Sequence, residues 1–376
     1  MAATDPLPDP DRIEGAPHPR ETAHLYGHAA AEAEVLSAFT TGRLHHAWML
    51  TGPKGTGKAT LAWRIARFLL ATPDDDGGMF APPPPTTLDI APANPVARRL
   101  LQLAEPRLFL LRRGPNEKET ALSQVISVDE VRKMKSFFSL SAADGGRRVA
   151  IIDSLDELNT AAANALLKLL EEPPARVTLL LIAHQPARLL PTIRSRCREL
   201  RLSPLGPDDL AAALTAAGGS VAPADTQALA ELSAGSVGEA FRLTNLDGLT
   251  LYTALIRLFA TLPRLDRAQA LALADIAGAR GAAETFDLLV TLIDLFLARL
   301  ARTGTLHQTP PEAAPNEAQL LARLSPTPAA ARQWADLAQH LSARARRGKA
   351  VNLDPAALLM DMLLQIDETA GTLASR

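Results

Sequence analysis

The sequence predicts an α/β domain built on a parallel sheet, followed by an all-helical half. Three observations predict it. From Leu25 to about Leu202, short and nearly continuous apolar runs alternate with helical patterns. A glycine-rich loop, Gly52-Pro53-Lys54-Gly55-Thr56-Gly57-Lys58-Ala59, stands between one such run and a helix. From about Leu249 onward only helical spacing remains.

Residues 1–20 carry Pro6, Pro8, Pro10, Pro17 and Pro19 among acidic residues and read as a flexible arm. Within the α/β domain, residues 21–203, the strand candidates are Ala47–Thr51, Leu108–Leu111, Val149–Asp153 and Val177–Ala183. Unbroken apolar runs of this length fit strands covered on both faces. Ala59 to Leu70 has a helical pattern. Residues 72–95, with Asp74-Asp75-Asp76-Gly77-Gly78 and the run Pro82–Pro85, cannot pack a core and read as a mobile surface loop. Ser203-Pro204 and Gly206-Pro207 close the domain, and residues 204–246 read as a small helical unit. In the last part, residues 247–376, Phe286, Leu289, Val290, Ile293, Leu297 and Leu300 recur three and four apart, the stripe of a packed helix. Pro310, Pro311 and Pro315 interrupt this part, and Asn352-Leu353-Asp354-Pro355 predicts a helix start with Asp354 as its cap.

Composition narrows the function. The 376 residues are 47 % apolar, enough for substantial cores, and the net charge of −2 argues against a dedicated nucleic-acid binder with a large basic face. Cys197 is the single cysteine, so neither an internal disulfide nor a cysteine-rich zinc module can form. No apolar run approaches the roughly 20 residues of a membrane span. The first residues lack the basic-then-apolar order of a signal peptide. A cytoplasmic location is the resulting expectation.

The glycine-rich loop has the strand–loop–helix context of a phosphate-binding loop. Its glycines let backbone N–H groups turn toward a phosphate, the helix N-terminus adds partial positive charge, and Lys58 reaches the terminal phosphates. The residue after the lysine normally supplies a hydroxyl to magnesium. Here Ala59 stands there and the hydroxyl comes one place late, at Thr60, turned about 100° away on a helix. The strand ending in Asp153 supplies the second half of such a site. Asp156 and Glu157 are expected in the first turn of the next helix, where they favour its dipole.

At this point the chain resembles the clamp-loader subunits of bacterial DNA polymerase III, within the AAA+ family. The residues carrying the resemblance are Gly52–Thr60, Val149–Asp153, Asn164-Ala165-Leu166-Leu167-Lys168-Leu169-Leu170-Glu171-Glu172-Pro173-Pro174 and Ser195-Arg196-Cys197. It implies a RecA-like AAA+ domain with a parallel sheet, a small helical lid and a C-terminal helical collar that oligomerises. Active relatives place a Glu after the strand-terminal Asp, where this chain has Ser154, and an Arg at the position of Gly238. Losing a general base alone costs about 10²–10⁴-fold in rate. With Ala59, Ser154 and Gly238 degenerate and Ser195-Arg196-Cys197 intact, the chain looks like a stator that holds ATP or ADP weakly or without hydrolysis. Arg196 would then be an arginine finger acting in trans on a neighbouring motor subunit. The implied partners are motor subunits and the delta subunit in a hetero-pentamer, which reaches the sliding clamp and primed DNA through the complex. Many relatives carry a four-cysteine zinc module where residues 72–95 stand, so no metal is expected. Three alternatives stay open: an active motor ATPase of the same family, a scaffold whose loop is a relic, and a direct DNA-binding regulator.

Overall fold

A computed structural model describes residues 9–12, 15–73, 83–116, 118, 120–139 and 146–375. The chain divides into two compact units, residues 1–218 with 236–238, and residues 219–235 with 239–376.

In the first unit the order is α1 (Ala29–Thr40), β1 (Ala47–Thr51), α2 (Lys58–Ala71), α3 (Pro95–Leu101), β2 (Leu108–Arg112), α4 (Val128–Ser139), β3 (Arg148–Asp153), α5 (Thr160–Glu171), β4 (Val177–Ala183), α6 (Pro191–Arg194), β5 (Arg198–Arg201) and α7 (Pro207–Ala216). The five strands form one parallel sheet in the order β2-β3-β4-β1-β5. Alternate strand residues point to opposite faces. Trp48, Leu50, Val149, Ile151, Leu180 and Ile182 therefore pack with Leu61, Ile65 and Leu69 of α2 on one face. Met49, Ala150, Ile152, Leu179 and Leu181 pack with Val131 and Met134 of α4 and Leu166 of α5 on the other. Both faces are covered, which is why β1 and β4 are buried at every residue and read as unbroken apolar runs.

The strand absent from the sequence expectation is β5. Its residues are Arg-Glu-Leu-Arg and only Leu200 is buried. Charged side chains on an edge strand discourage pairing with other chains and also hide its apolar signal.

Two sequence expectations need correction. Residues 9–12 and 15–20 of the arm are docked on their own unit. Asp9 lies 2.6 Å from Arg112, and Asp11 lies 3.0 Å from His18, which is fully buried with its ring edge toward Trp63. Proline-rich composition gave no hint that one histidine and two aspartates would find partners far along the chain. Residues 1–8 and 13–14 lie outside the described residues. The proline-rich loop is likewise anchored over 83–95, where Leu88 is buried in the α2-side core and Asp89 pairs with Arg64 at 2.9 Å. Its residues 74–82 lie outside the described residues.

The second unit contains α8 (Thr226–Ser233), most of α9 (Val237–Asn245), α10 (Gly248–Ala260), α11 (Arg267–Gly278), α12 (Ala283–Leu306), α13 (Glu317–Leu324), α14 (Pro328–Ala350) and α15 (Pro355–Ala374). The predicted stripe lies on α12, where Phe286, Leu289, Ile293, Leu297 and Leu300 are buried and Val290 is half-buried. α12 packs along α14, and α11 along α15. Gly348 lets α14 approach α15 so closely that a Cβ there would lie 2.6 Å from Leu358. Asp354 caps α15 as expected, accepting from the Ala357 N–H at 3.1 Å, with Pro355 in the first turn. A buried polar cluster joins three of these helices. Glu317, fully buried, accepts from Arg299 Nε at 2.7 Å, from Tyr252 at 2.5 Å and from the Ala313 N–H at 2.7 Å.

Candidate nucleotide site and arginine

The loop between β1 and α2 has the conformation the motif requires. Gly52, Gly55 and Gly57 all have positive φ, at 140°, 78° and 93°. At Gly52 a Cβ would sit 2.2 Å from the Leu202 carbonyl oxygen, so no side chain fits there. Gly57 is the N-cap of α2, and Lys58 is its first residue. Thr56 is fully buried with its hydroxyl on the Pro53 carbonyl at 3.0 Å, while His28 holds the Thr56 carbonyl at 2.8 Å. These contacts preshape the turn from both sides.

Lys58 Nζ is folded into the loop and donates to the carbonyls of Gly52, at 2.8 Å, and Pro53. Burial pulls its pKa down to about 8, against the raising effect of Asp153 and Asp156. Asp153, at the end of β3, is pushed up to about 7 by burial first, then by Asp11 and Glu157. The two groups that serve phosphate and cation in a working site thus both titrate close to neutrality. The loop fits a phosphate, with the backbone of Gly52–Thr60 and Lys58 as its holders. It lacks part of the usual magnesium arrangement, because Ala59 offers no hydroxyl.

Ser154, in the position after the strand-terminal Asp, is buried, and its hydroxyl has no partner among the described residues. Asp156 and Glu157 are not in the first turn of α5. They lie in a separate 3-10 turn, Leu155–Glu157, because Asn159 caps α5 two residues later by accepting from the Ala162 N–H. Asp156 instead accepts from the N–H groups of His184 and Gln185, at 2.5 and 2.8 Å, tying the end of β3 to the end of β4. Gly238 comes to the loop as part of the segment 236–238. The Val237 N–H donates to the Gly55 carbonyl at 3.0 Å, and a Cβ on Gly55 would meet Ser236 Oγ at 2.1 Å. The position is in place at the phosphate loop and carries no side chain.

His184 escaped the sequence reading. It is the first residue after β4, on the same sheet edge as the loop and Asp153, and that placement was the available signal. Burial, followed by Lys58, holds its pKa down to about 4, against the raising effect of Asp156. A folded histidine that refuses a proton loses stability to the unfolded chain as pH falls below its ordinary 6.5, down to about 4. Between pH 7 and 5 the chain is therefore expected to lose about 2 kcal/mol more stability than His184→Asn. Urea midpoints of both proteins at the two pH values measure this, and equal slopes would refute it.

Arg196 lies at the other edge of the sheet. Ser195-Arg196-Cys197 joins α6 to β5, and Arg198 at the start of β5 is registered with Trp48 near the start of β1. The phosphate loop leaves the far end of β1, so the length of a five-residue strand separates the two, roughly 16 Å. Arg196 is partly exposed and pairs with Glu171, the last residue of α5, at 2.9 Å. Burial pushes the Cys197 thiol up to about 12, so it is no nucleophile at neutral pH.

A parallel sheet in this order, a glycine-rich loop capping α2 and an aspartate closing β3, with β4 between that strand and β1, define a P-loop protein of the RecA-like AAA+ class. Residues 27–206 match the family described as "DNA polymerase III, delta subunit". The match covers the α/β region, and the curated relatives similar to it include subunits named delta'. It is 40 % identical to the DNA polymerase III subunit delta' of Pseudomonas aeruginosa over 152 residues, 40 % of this chain and 41 % of that protein. The DNA polymerase III subunit delta' of Escherichia coli is 30 % identical over 210 residues, 56 % of this chain and 58 % of that protein. The subunit gamma/tau of Mycobacterium tuberculosis is 28 % identical over 52 % of this chain and 31 % of that protein. The chain thus spans about half the length of the delta' relatives it matches. No described helix is long and apolar enough to cross a membrane.

Proposed function

We propose that this chain is a delta-prime-type subunit of a cytoplasmic DNA polymerase III clamp loader, a stator that donates Arg196 to the ATP site of an adjacent motor subunit. The single observation that carries the reading is the position of Arg196. It stands a strand's length from its own phosphate loop, so its guanidinium cannot serve that loop. A permanently charged planar fork at an exposed sheet edge suits a polyphosphate presented by another chain. The degenerate loop fits the same role, since ATP or ADP held there would face Lys58 and backbone N–H groups without a hydroxyl at Ala59 or a carboxylate at Ser154. The motor subunits and the delta subunit are the partners in a hetero-pentamer, and contact with the sliding clamp and primed DNA is made by the whole complex. The division of the helical part into a lid, 204–246, and a collar, 247–376, belongs to this proposal.

The isolated chain is expected to hydrolyse Mg-ATP no faster than Lys58→Ala, and the substitution is expected to leave assembly with motor subunits intact. Phosphate release and gel filtration measure the two. Hydrolysis by the wild type that disappears in Lys58→Ala would favour the motor-ATPase reading, to which the similarity with gamma/tau gives some footing. Absence of any ATP or ADP binding would leave the loop a relic and the chain a scaffold that still carries the finger.

A further inference from the structure

Arg196 already has a partner within its own chain. Its Nη2 lies 2.9 Å from Glu171 Oε1, and its Nη1 donates to the Thr192 carbonyl at 2.9 Å. The pair is open to solvent, with 36 % of the Arg196 side chain and 48 % of Glu171 exposed. Glu171 is held in place as the last residue of α5, since Pro173 and Pro174 forbid the helix to continue. The carboxyl end of that helix adds partial negative charge at the same spot. Glu172, the next residue, makes no such bond among the described residues.

We propose that Glu171 is a latch for Arg196, a carboxylate that parks the guanidinium on its own subunit until the triphosphate of a neighbouring subunit displaces it. The inference rests on the reading of Arg196 as a residue acting in trans. A carboxylate and phosphate oxygens compete for the same planar set of N–H donors. Every interaction with Glu171 is therefore subtracted from the interaction with nucleotide. Exposed pairs of this kind shift an equilibrium by about 1.5- to 5-fold. That is too weak to hold the arginine against a triphosphate bearing several charges. It is enough to favour the parked state when the neighbour's site holds a less charged diphosphate. Glu171 is thus a positioning residue that acts through Arg196 and touches no nucleotide itself.

The test uses the complete clamp loader reconstituted with its motor subunits, with and without sliding clamp and primed DNA, and reads kcat and KM for ATP. Glu171→Gln keeps the shape and removes the charge. It is expected to lower KM about 2- to 5-fold and to raise the rate without clamp and DNA by a similar factor, at unchanged saturated kcat. Glu171→Asp, which restores a carboxylate, is expected to return both toward wild type, and Glu172→Gln to change neither. Arg196→Ala is measured in parallel. If it leaves turnover intact, the trans reading fails and the latch falls with it. If Arg196→Ala abolishes turnover while Glu171→Gln leaves KM unchanged, lowers kcat or behaves like Glu172→Gln, the latch alone is overturned.

Discussion

Replacing Arg196 with Ala is expected to slow ATP turnover at the adjacent motor site by about 10³-fold or more, the range that arginine fingers contribute. The loss should appear in single-turnover hydrolysis and in clamp loading by the reconstituted complex. Folding should be little affected, since the side chain is partly exposed and its truncation removes a surface ion pair, worth less than about 1 kcal/mol, and one exposed hydrogen bond to the Thr192 carbonyl. An unchanged gel-filtration profile and melting curve would separate a catalytic loss from a failure to assemble. Arg196→Lys keeps the charge but loses the planar fork, so its rate should fall between the two. Wild-type turnover in Arg196→Ala would reduce the chain to a scaffold.

The largest expected effect on stability lies in the helical unit. Arg299 is 6 % exposed and binds fully buried Glu317 through Nε at 2.7 Å and Nη2 at 3.1 Å, while Nη1 reaches Glu231 at 3.2 Å. Its Nη2 also donates to the Pro311 carbonyl, which pins the proline-rich connection between α12 and α13. Arg299→Ala would leave the Glu317 carboxylate buried with only Tyr252 and the Ala313 N–H for partners. Breaking a buried pair from one side costs about 3–5 kcal/mol. For a unit of this size that corresponds to a fall in melting temperature on the order of 10 °C. Tyr252→Phe removes one hydrogen bond and should cost only about 1–3 kcal/mol. Calorimetry of the three proteins checks the order. An Arg299→Ala chain as stable as wild type would show that the cluster contributes nothing net.

Much of the architecture was legible because it is written in near-neighbour patterns. Ala47–Thr51 and Val177–Ala183 match β1 and β4 at both ends, since strands covered on both faces must be apolar throughout. The loop Gly52–Thr60 was legible because positive φ at Gly52, Gly55 and Gly57 leaves glycine as the residue that fits. The cap at Asp354 was legible because a helix start needs an acceptor within three residues. β5 was hidden because Arg198, Glu199 and Arg201 are exposed and mask Leu200. Asp156 was misplaced because its partners, His184 and Gln185, lie on another strand end.

The amino-acid sequence by itself determined the class of fold, the glycine-rich loop after β1 and the missing hydroxyl at Ala59. Each of these rests on interactions between residues a few positions apart, where periodicity and residue type carry the information. Tertiary structure alone decided that Asp9, Asp11 and His18 dock, that Gly238 meets the loop, that Glu171 holds Arg196 and that Glu317 is buried with Arg299. Those pairings join residues from 7 to about 180 positions apart. Charged and polar side chains look alike in a sequence whether they end in water or against a partner, and only packing of the apolar faces brings the partners together.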